Sequence, residues 1–280
     1  MNILEEIIAH KKLEIDKAKS NLPLDKLKKL IIVEAGLKPA YAKRNFYQAI
    51  KNKIGKKEIA LIAEVKKASP SKGLIKKDFN HIEIAKAYKD GGATCLSVLT
   101  DEKYFQGKLN YIQEIKNIEA CRGMPILRKD FIIDPYQIYE SIYHGADCVL
   151  LIAGGVAQPR LRDLYEIACE NEIDTLIEIH DEREMEIALD VGGGDNYPRL
   201  LGINNRDLKT FQTNLNTTKN LVAKYKRDLD GKIIVSESGI FTNDDIKSLM
   251  ECGIYAFLVG EGLIKEENIK EATKKLIRTC

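Results

Sequence analysis

KIIVSESGIFTNDDIKSLMECGIYAFLVGEGL (232–263) holds in one stretch the plan on which most of the chain is built. Its first run, KIIVSE (232–237), is apolar but ends in polar residues. Gly239 follows, and then Thr242 with two aspartates close behind it, which reads as a capped helix start. A second apolar run, YAFLVG (255–260), completes the unit. Strands that are apolar almost throughout are buried on both faces, as in a parallel sheet flanked by helices.

The same plan recurs upstream at IALIAEV (59–65), TCLSVL (94–99), MPILRK (124–129), DCVLLIA (147–153), DTLIEI (174–179) and RLLGIN (199–204), with successive starts 23 to 35 residues apart. Amphipathic stretches such as HIEIAKAYKDGG (81–92) and RLRDLYEIACEN (160–171) lie between them, and Asp134-Pro135 opens another helix. Eight strand-plus-helix units in about 220 residues predict an α/β fold, a closed (β/α)8 TIM barrel. An open doubly wound sheet would carry a nucleotide-type glycine loop after its first strand. Gly91-Gly92 and Gly192-Gly193-Gly194 lack that spacing and read as helix-end or loop glycines. Residues 1–58 predict two or three helices, with a break marked by Pro39 and Asn45-Phe46. They form an N-terminal helical extension packed on the barrel, over one mouth. Residues 1–280 thus read as a single domain, with the extension at 1–58 and the barrel at 59–280. VGGGDNYPRL (191–200) reads as an inserted surface connection.

Composition narrows the class. At 44% hydrophobic and 31% charged, the 280-residue chain resembles an ordinary soluble protein with a real core. No apolar run approaches the ~20 residues of a spanning helix, and MNILEEIIAHKKLEIDKAKS lacks the pattern of a cleaved signal. Six cysteines (95, 121, 148, 169, 252 and 280) are scattered without CxxC pairs and read as reduced thiols in a cytoplasmic protein. The net charge of +2 hides a basic extension, in which 14 Lys/Arg face 7 Asp/Glu over residues 1–58. Those charges interleave at helical spacing, which is a solvated helix face, so neither nucleic acid nor membrane is expected as a partner.

The decisive feature is charge where core belongs. Active sites of parallel barrels gather at the carboxyl ends of the strands. Here the strands end in Glu64 and Lys66, Lys129 and Asp130, Glu178, Asn204 and Arg206, and Glu237 and Ser238. Residues two apart on a strand share a face, so Glu64 projects with Lys66 and Asn204 with Arg206. Cores keep such groups only when they pair or work. SESG (236–239) and LVGEG (258–262) follow the last two strands, where barrels often bind phosphate on backbone N–H groups. The loop KKASPSKG (66–73) adds lysines and serine hydroxyls. Histidines 10, 81, 144 and 180 lack metal-ligand spacing, and His180 reads as the start of a helix. The residues alone therefore point to a Lys/Glu acid–base enzyme, without metal or cofactor, acting on a phosphorylated small molecule.

These motifs, in order, resemble the indole-3-glycerol phosphate synthase family: IAEVKKASPSKG (62–73), SVLTDEKYFQG (97–107), ILRKDFIIDPYQIYE (126–140), LIEIHDE (176–182), GINNRDL (202–208), SESGI (236–240) and FLVGEGL (257–263), with ILEEIIAHKKLEI at the N-terminus. The resemblance implies conversion of 1-(2-carboxyphenylamino)-1-deoxyribulose 5-phosphate to indole-3-glycerol phosphate, with loss of carbon dioxide and water, in tryptophan synthesis. It implies Lys129 as the acid for ring closure. Glu178 and the Lys66–Glu64 pair would serve later proton transfers, with dehydration unassigned among them. Asn204, Glu237 and Ser238 would hold hydroxyls and orient the acids. Arg206 would orient the acids or meet a substrate anion. The phosphate would sit on the backbone of Ser238-Gly239 and Gly260-Glu261, with Lys66 or Ser69 nearby, and Phe105, Phe131 and leucines near the mouth would sandwich the anthranilate ring. Glu261 departs from a small hydroxyl residue in many relatives, so only its backbone role carries over.

Two other readings make different predictions. Another phosphate-binding barrel enzyme, such as phosphoribosylanthranilate isomerase, needs a Cys/Asp pair. A non-catalytic ligand-binding barrel would have lost the strand-end acids and bases. No obligate protein partner is evident in the sequence.

Overall fold

Eight parallel strands close on themselves in the order β1-β10-β9-β8-β7-β6-β5-β4. In this computed structural model they are β1 (Ala60–Val65), β4 (Cys95–Leu99), β5 (Ile126–Lys129), β6 (Cys148–Ile152), β7 (Asp174–Ile179), β8 (Leu200–Asn204), β9 (Ile233–Glu237) and β10 (Ala256–Val259). Residues 3–34, 44–192, 198–207 and 210–278 are described; Pro39, Gly193, Gly194 and Cys280 lie outside them. Each strand falls within two residues of the run that predicts it. The loop after β1 is more ordered than its composition suggests, because Ala68–Ser69 (β2) and Gly73–Leu74 (β3) pair as a small hairpin.

Period-two alternation explains both the core and the site. Inward positions Ala60, Ile62, Leu127, Leu176, Leu200, Val235 and Leu258 fill the barrel. Outward positions such as Leu61, Val98, Ile177 and Phe257 pack against the surrounding helices. Two further residues along the inward columns stand Glu64, Lys129, Glu178 and Glu237. The same column therefore runs from apolar to charged as it approaches the carboxyl end.

Helices between the strands begin where short polar side chains satisfy free N–H groups. Asp134 caps α6 (Pro135–Tyr143), and Thr242 caps α10 (Asn243–Met250), both as capping boxes. The extension supplies α1 (Ile3–Asn21), α2 (Leu24–Glu34) and α3 (Phe46–Ile54). Asn45 accepts from the Gln48 N–H at 2.6 Å, so the Asn45-Phe46 point read as a break is a helix start. Nor does the extension cover a single mouth. Phe46 and Ile50 of α3 plug the amino end of the barrel, where Tyr47 N–H donates to Asp174 at 2.9 Å. Ile3, Leu4 and Ile7 of α1 instead line the cavity at the carboxyl end.

Candidate active site

That cavity brings together Glu64, Lys66, Ser69, Phe105, Lys129, Phe131, Glu178, Asn204, Arg206, Glu237, Ser238, Gly239, Gly260 and Glu261, every residue singled out from the sequence. At its floor the Lys129 ammonium, delivered by β5, ion-pairs with Glu178 of β7 and lies 3.2 Å from Glu237 of β9. Asn204 Nδ2 donates to the other Glu178 oxygen at 3.2 Å. Glu64 and Lys66 bond directly to each other, as their two-residue spacing requires. Two glycines make room for the carboxylates: a Cβ on Gly202 would collide with Glu237, and one on Gly260 with Glu64.

The two buried carboxylates beside Lys129 are unequal. Burial opposes the charge of Glu178, but Lys129 and His180 override it and hold its carboxyl well below the usual range. Burial pushes Glu237 up, Lys129 pulls it back, and the Glu178 charge pushes it up again, to about 8. Hydrogen bonding agrees, since Glu237 Oε1 is buried without a partner. The two carboxyls titrate as a coupled pair, with Glu237 the one held toward its protonated form. Burial likewise opposes the Lys129 charge, yet Glu178, Glu237 and Glu64 together raise its pKa above the ordinary lysine value.

His180 belongs to this network rather than merely preceding α8 (Glu182–Leu189), whose cap is Asp181. Its Nε2 lies 3.2 Å from Glu178 and its Nδ1 2.9 Å from Glu184. Burial alone would lower its pKa; the two carboxylates raise it to about 10. The signal was present in the sequence, because residues 178 and 180 share a strand face.

Around the floor, the walls divide by chemistry. Phe105 and Phe131 stand with ring centroids 6.1 Å apart, tilted by 41°. A ring inserted between them would need roughly 7 Å, at about 3.5 Å per contact. They form one wall, and Ile3, Leu4 and Ile7 add apolar surface from an N-terminal motif to which the sequence reading gave no place in the site. Ser238 and Gly239 also line the cavity, with φ of 65° and 75°. Ser238 is a non-glycine residue in the left-handed region, held there by Asn205, whose Nδ2 donates to the carbonyls of Glu237 and Ser238 at 3.0 and 3.1 Å. Arg206 reaches Glu261 at 3.5 Å. Asp130 turns to a separate buried cluster with Arg128, Thr100 and, from α1, Lys11 at 2.9 Å; Lys11 also meets Asp101 at 2.8 Å. Among the described residues, no group of three or more His, Cys, Asp and Glu is arranged to hold a metal ion, and no helix is long and apolar enough to cross a membrane.

A family model described as indole-3-glycerol phosphate synthase matches residues 4–276. Indole-3-glycerol phosphate synthase 2 of Ralstonia nicotianae is 44% identical over 276 residues, covering 99% of this chain and 97% of that protein. The indole-3-glycerol phosphate synthase of Legionella pneumophila (strain Paris) is 45% identical over 276 residues, covering 99% and 98%. Among solved structures, a 3-hexulose-6-phosphate synthase aligns with a TM-score of 0.60 at 12% identity, over 78% of this chain and 98% of that one. KGPDC from Streptococcus mutans aligns at 0.56 and 13%, over 78% and 95%. At such identities the likeness shows the barrel fold alone.

Proposed function

The chain belongs to the indole-3-glycerol phosphate synthase family, a decarboxylating, ring-closing lyase of tryptophan biosynthesis, and from that premise we propose how its rim residues divide the reaction. Lys129 carries the first step. Its ammonium, fixed by two carboxylates on alternate strands, hydrogen-bonds the sugar ketone and protonates it as the ring carbon bearing the carboxylate attacks. The new C–C bond leaves that carbon tetrahedral, and loss of carbon dioxide returns its electron pair to the ring. The ketone oxygen, now a hydroxyl, departs as water when an acid protonates it and a base removes a proton from the ring system. Protonated Glu237, ionised Glu178 and the Lys66–Glu64 pair are the groups within reach for those transfers.

Asn204 fixes Glu178 and, with Ser238, meets substrate hydroxyls. The anthranilate ring lies against the Phe105–Phe131 wall, beneath Ile3, Leu4 and Ile7. The phosphate sits at the backbone of Ser238-Gly239 and Gly260-Glu261, with Lys66 or Ser69 beside it; the left-handed turn at Ser238-Gly239 supports this placement. The phosphorylated sugar is the partner this chemistry requires, without metal or cofactor or an obligate protein partner. A cytoplasmic setting accords with the free thiols of Cys95, Cys121 and Cys148. The extension at 1–58 and the barrel at 59–280 act as one domain, because α1 and α3 each seal one end.

The single observation that carries the assignment is the buried ammonium held by Glu178 and Glu237 at the floor of an apolar-walled cavity. Incubation with 1-(2-carboxyphenylamino)-1-deoxyribulose 5-phosphate, followed by indole absorbance, tests it. Lys129→Ala should bind the substrate yet lose at least about a thousandfold in turnover. Turnover equal to the unmodified enzyme would remove Lys129 from the mechanism.

A further inference from the structure

One rim residue has chemistry that the reaction does not use. The Glu261 carboxylate, with its side chain only 12% exposed, stands in the cavity among cations. Oε2 lies 3.5 Å from Arg206, while Oε1 lies 2.6 Å from Lys265 and 3.8 Å from Lys72. Burial opposes its charge, but these cations keep its carboxyl below the usual value. Lys72 and Arg206 come from the loops after β1 and β8, so one carboxylate gathers side chains from separate parts of the mouth. Lys265 differs from them: it is half-exposed and one helical turn beyond Glu261. Its contact is the shortest of the three, so it anchors the carboxylate whatever Arg206 and Lys72 do.

We propose that Glu261 is an internal stand-in for the substrate phosphate, holding Arg206 and Lys72 until the phosphate arrives and then releasing them while Lys265 keeps the carboxylate. This rests on the phosphate site described above. A phosphate dianion attracts the same cations more strongly than a single carboxylate charge does, so it displaces Glu261 where monovalent anions do not. The side chain thereby selects for the phosphorylated substrate, because an anion binds only in the fraction of time that Arg206 and Lys72 are released.

The test is competitive inhibition by inorganic phosphate against the carboxyphenylamino sugar phosphate, in the full chain and its variants. Glu261→Gln keeps the shape but removes the competing charge, and should lower the inhibition constant roughly tenfold. Lys265→Met removes the anchor that keeps the released carboxylate and should raise it. In the double variant the Lys265 effect should disappear, since no carboxylate remains to be anchored. An unchanged or raised constant in Glu261→Gln overturns the proposal, as does a Lys265 effect that persists in the double variant. If phosphate fails to compete in the unmodified enzyme and in Glu261→Gln alike, the phosphate site itself is refuted and the stand-in with it. Competition with equal constants in both refutes only the stand-in.

Discussion

Replacing Glu237 with glutamine separates its cost to folding from its use in the reaction. Glu237 is 1% exposed, and its carboxyl is raised from 4.5 to about 8. Between those values the folded protein keeps a proton that the unfolded chain has released. The group's favourable contribution is therefore full below about pH 4.5 and is lost as pH rises through about 8. At 1.36 kcal/mol per unit, the penalty between pH 5 and pH 8 reaches a ceiling of about 4 kcal/mol, shared with Glu178 because the two titrate together. Glutamine keeps the shape and the neutral state, so Glu237→Gln should gain stability over the unmodified protein progressively across that window. Urea unfolding at pH 5, 6, 7 and 8, with equal m-values, measures the gap. The same ionisation should appear in catalysis as a fall in kcat/KM above about pH 8, which glutamine should flatten. A stability difference that is the same at pH 5 and pH 8 would refute the raised titration of Glu237.

Other perturbations test the supports around the floor. His180→Gln removes a cation that helps keep Glu178 ionised. Because His180 is raised to about 10, its stabilisation is full below about pH 6.5 and lost as pH rises through about 10. The variant should therefore be weakest relative to the parent near pH 6, with the difference shrinking by pH 10, as read from thermal or urea melts; a deficit that grows with pH would reverse the argument. Lys11→Met leaves Asp101 and Asp130 buried without their shared cation and should cost about 3–5 kcal/mol in urea unfolding, as for other buried pairs stripped of one partner. A cost below about 1 kcal/mol would show the α1 anchor to be dispensable. Gly260→Ala drives a methyl group into the Glu64 carboxylate. It should lower kcat with little change in melting temperature, because the collision falls on a polar side chain at the rim rather than on packed core.

What the sequence made legible follows one rule: features set by strand periodicity could be read, and features set by contacts between distant elements could not. Lys129, Glu178 and Glu237 stand in view because each interrupts an apolar run at an inward position, and the barrel then has no choice but to bring them together. His180 obeyed the same periodicity, yet the aspartate and glutamate after it resembled a helix start, and Asp181 does cap that helix; one local signal masked another. By contrast, Ile3, Leu4 and Ile7 carry no mark of a site, since an apolar residue on a helix face reads alike whether it covers a core or a substrate. The clasp of Lys11 on Asp101 and Asp130 spans most of 120 positions between its far ends, and no local pattern encodes it. The same distinction explains the aromatic wall. Phe105 and Phe131 were visible as aromatic residues near strand ends, but whether they enclose a ring or stand side by side depends on the angle between two loops. With centroids 6.1 Å apart, the two rings stand together as one wall, and Ile3, Leu4 and Ile7 of the N-terminal helix add further apolar lining. The seat of α1 beside the cavity is likewise set by distant contacts: Lys11 on Asp101 and Asp130, Lys19 on Asp134, and the Tyr104 hydroxyl on Glu6.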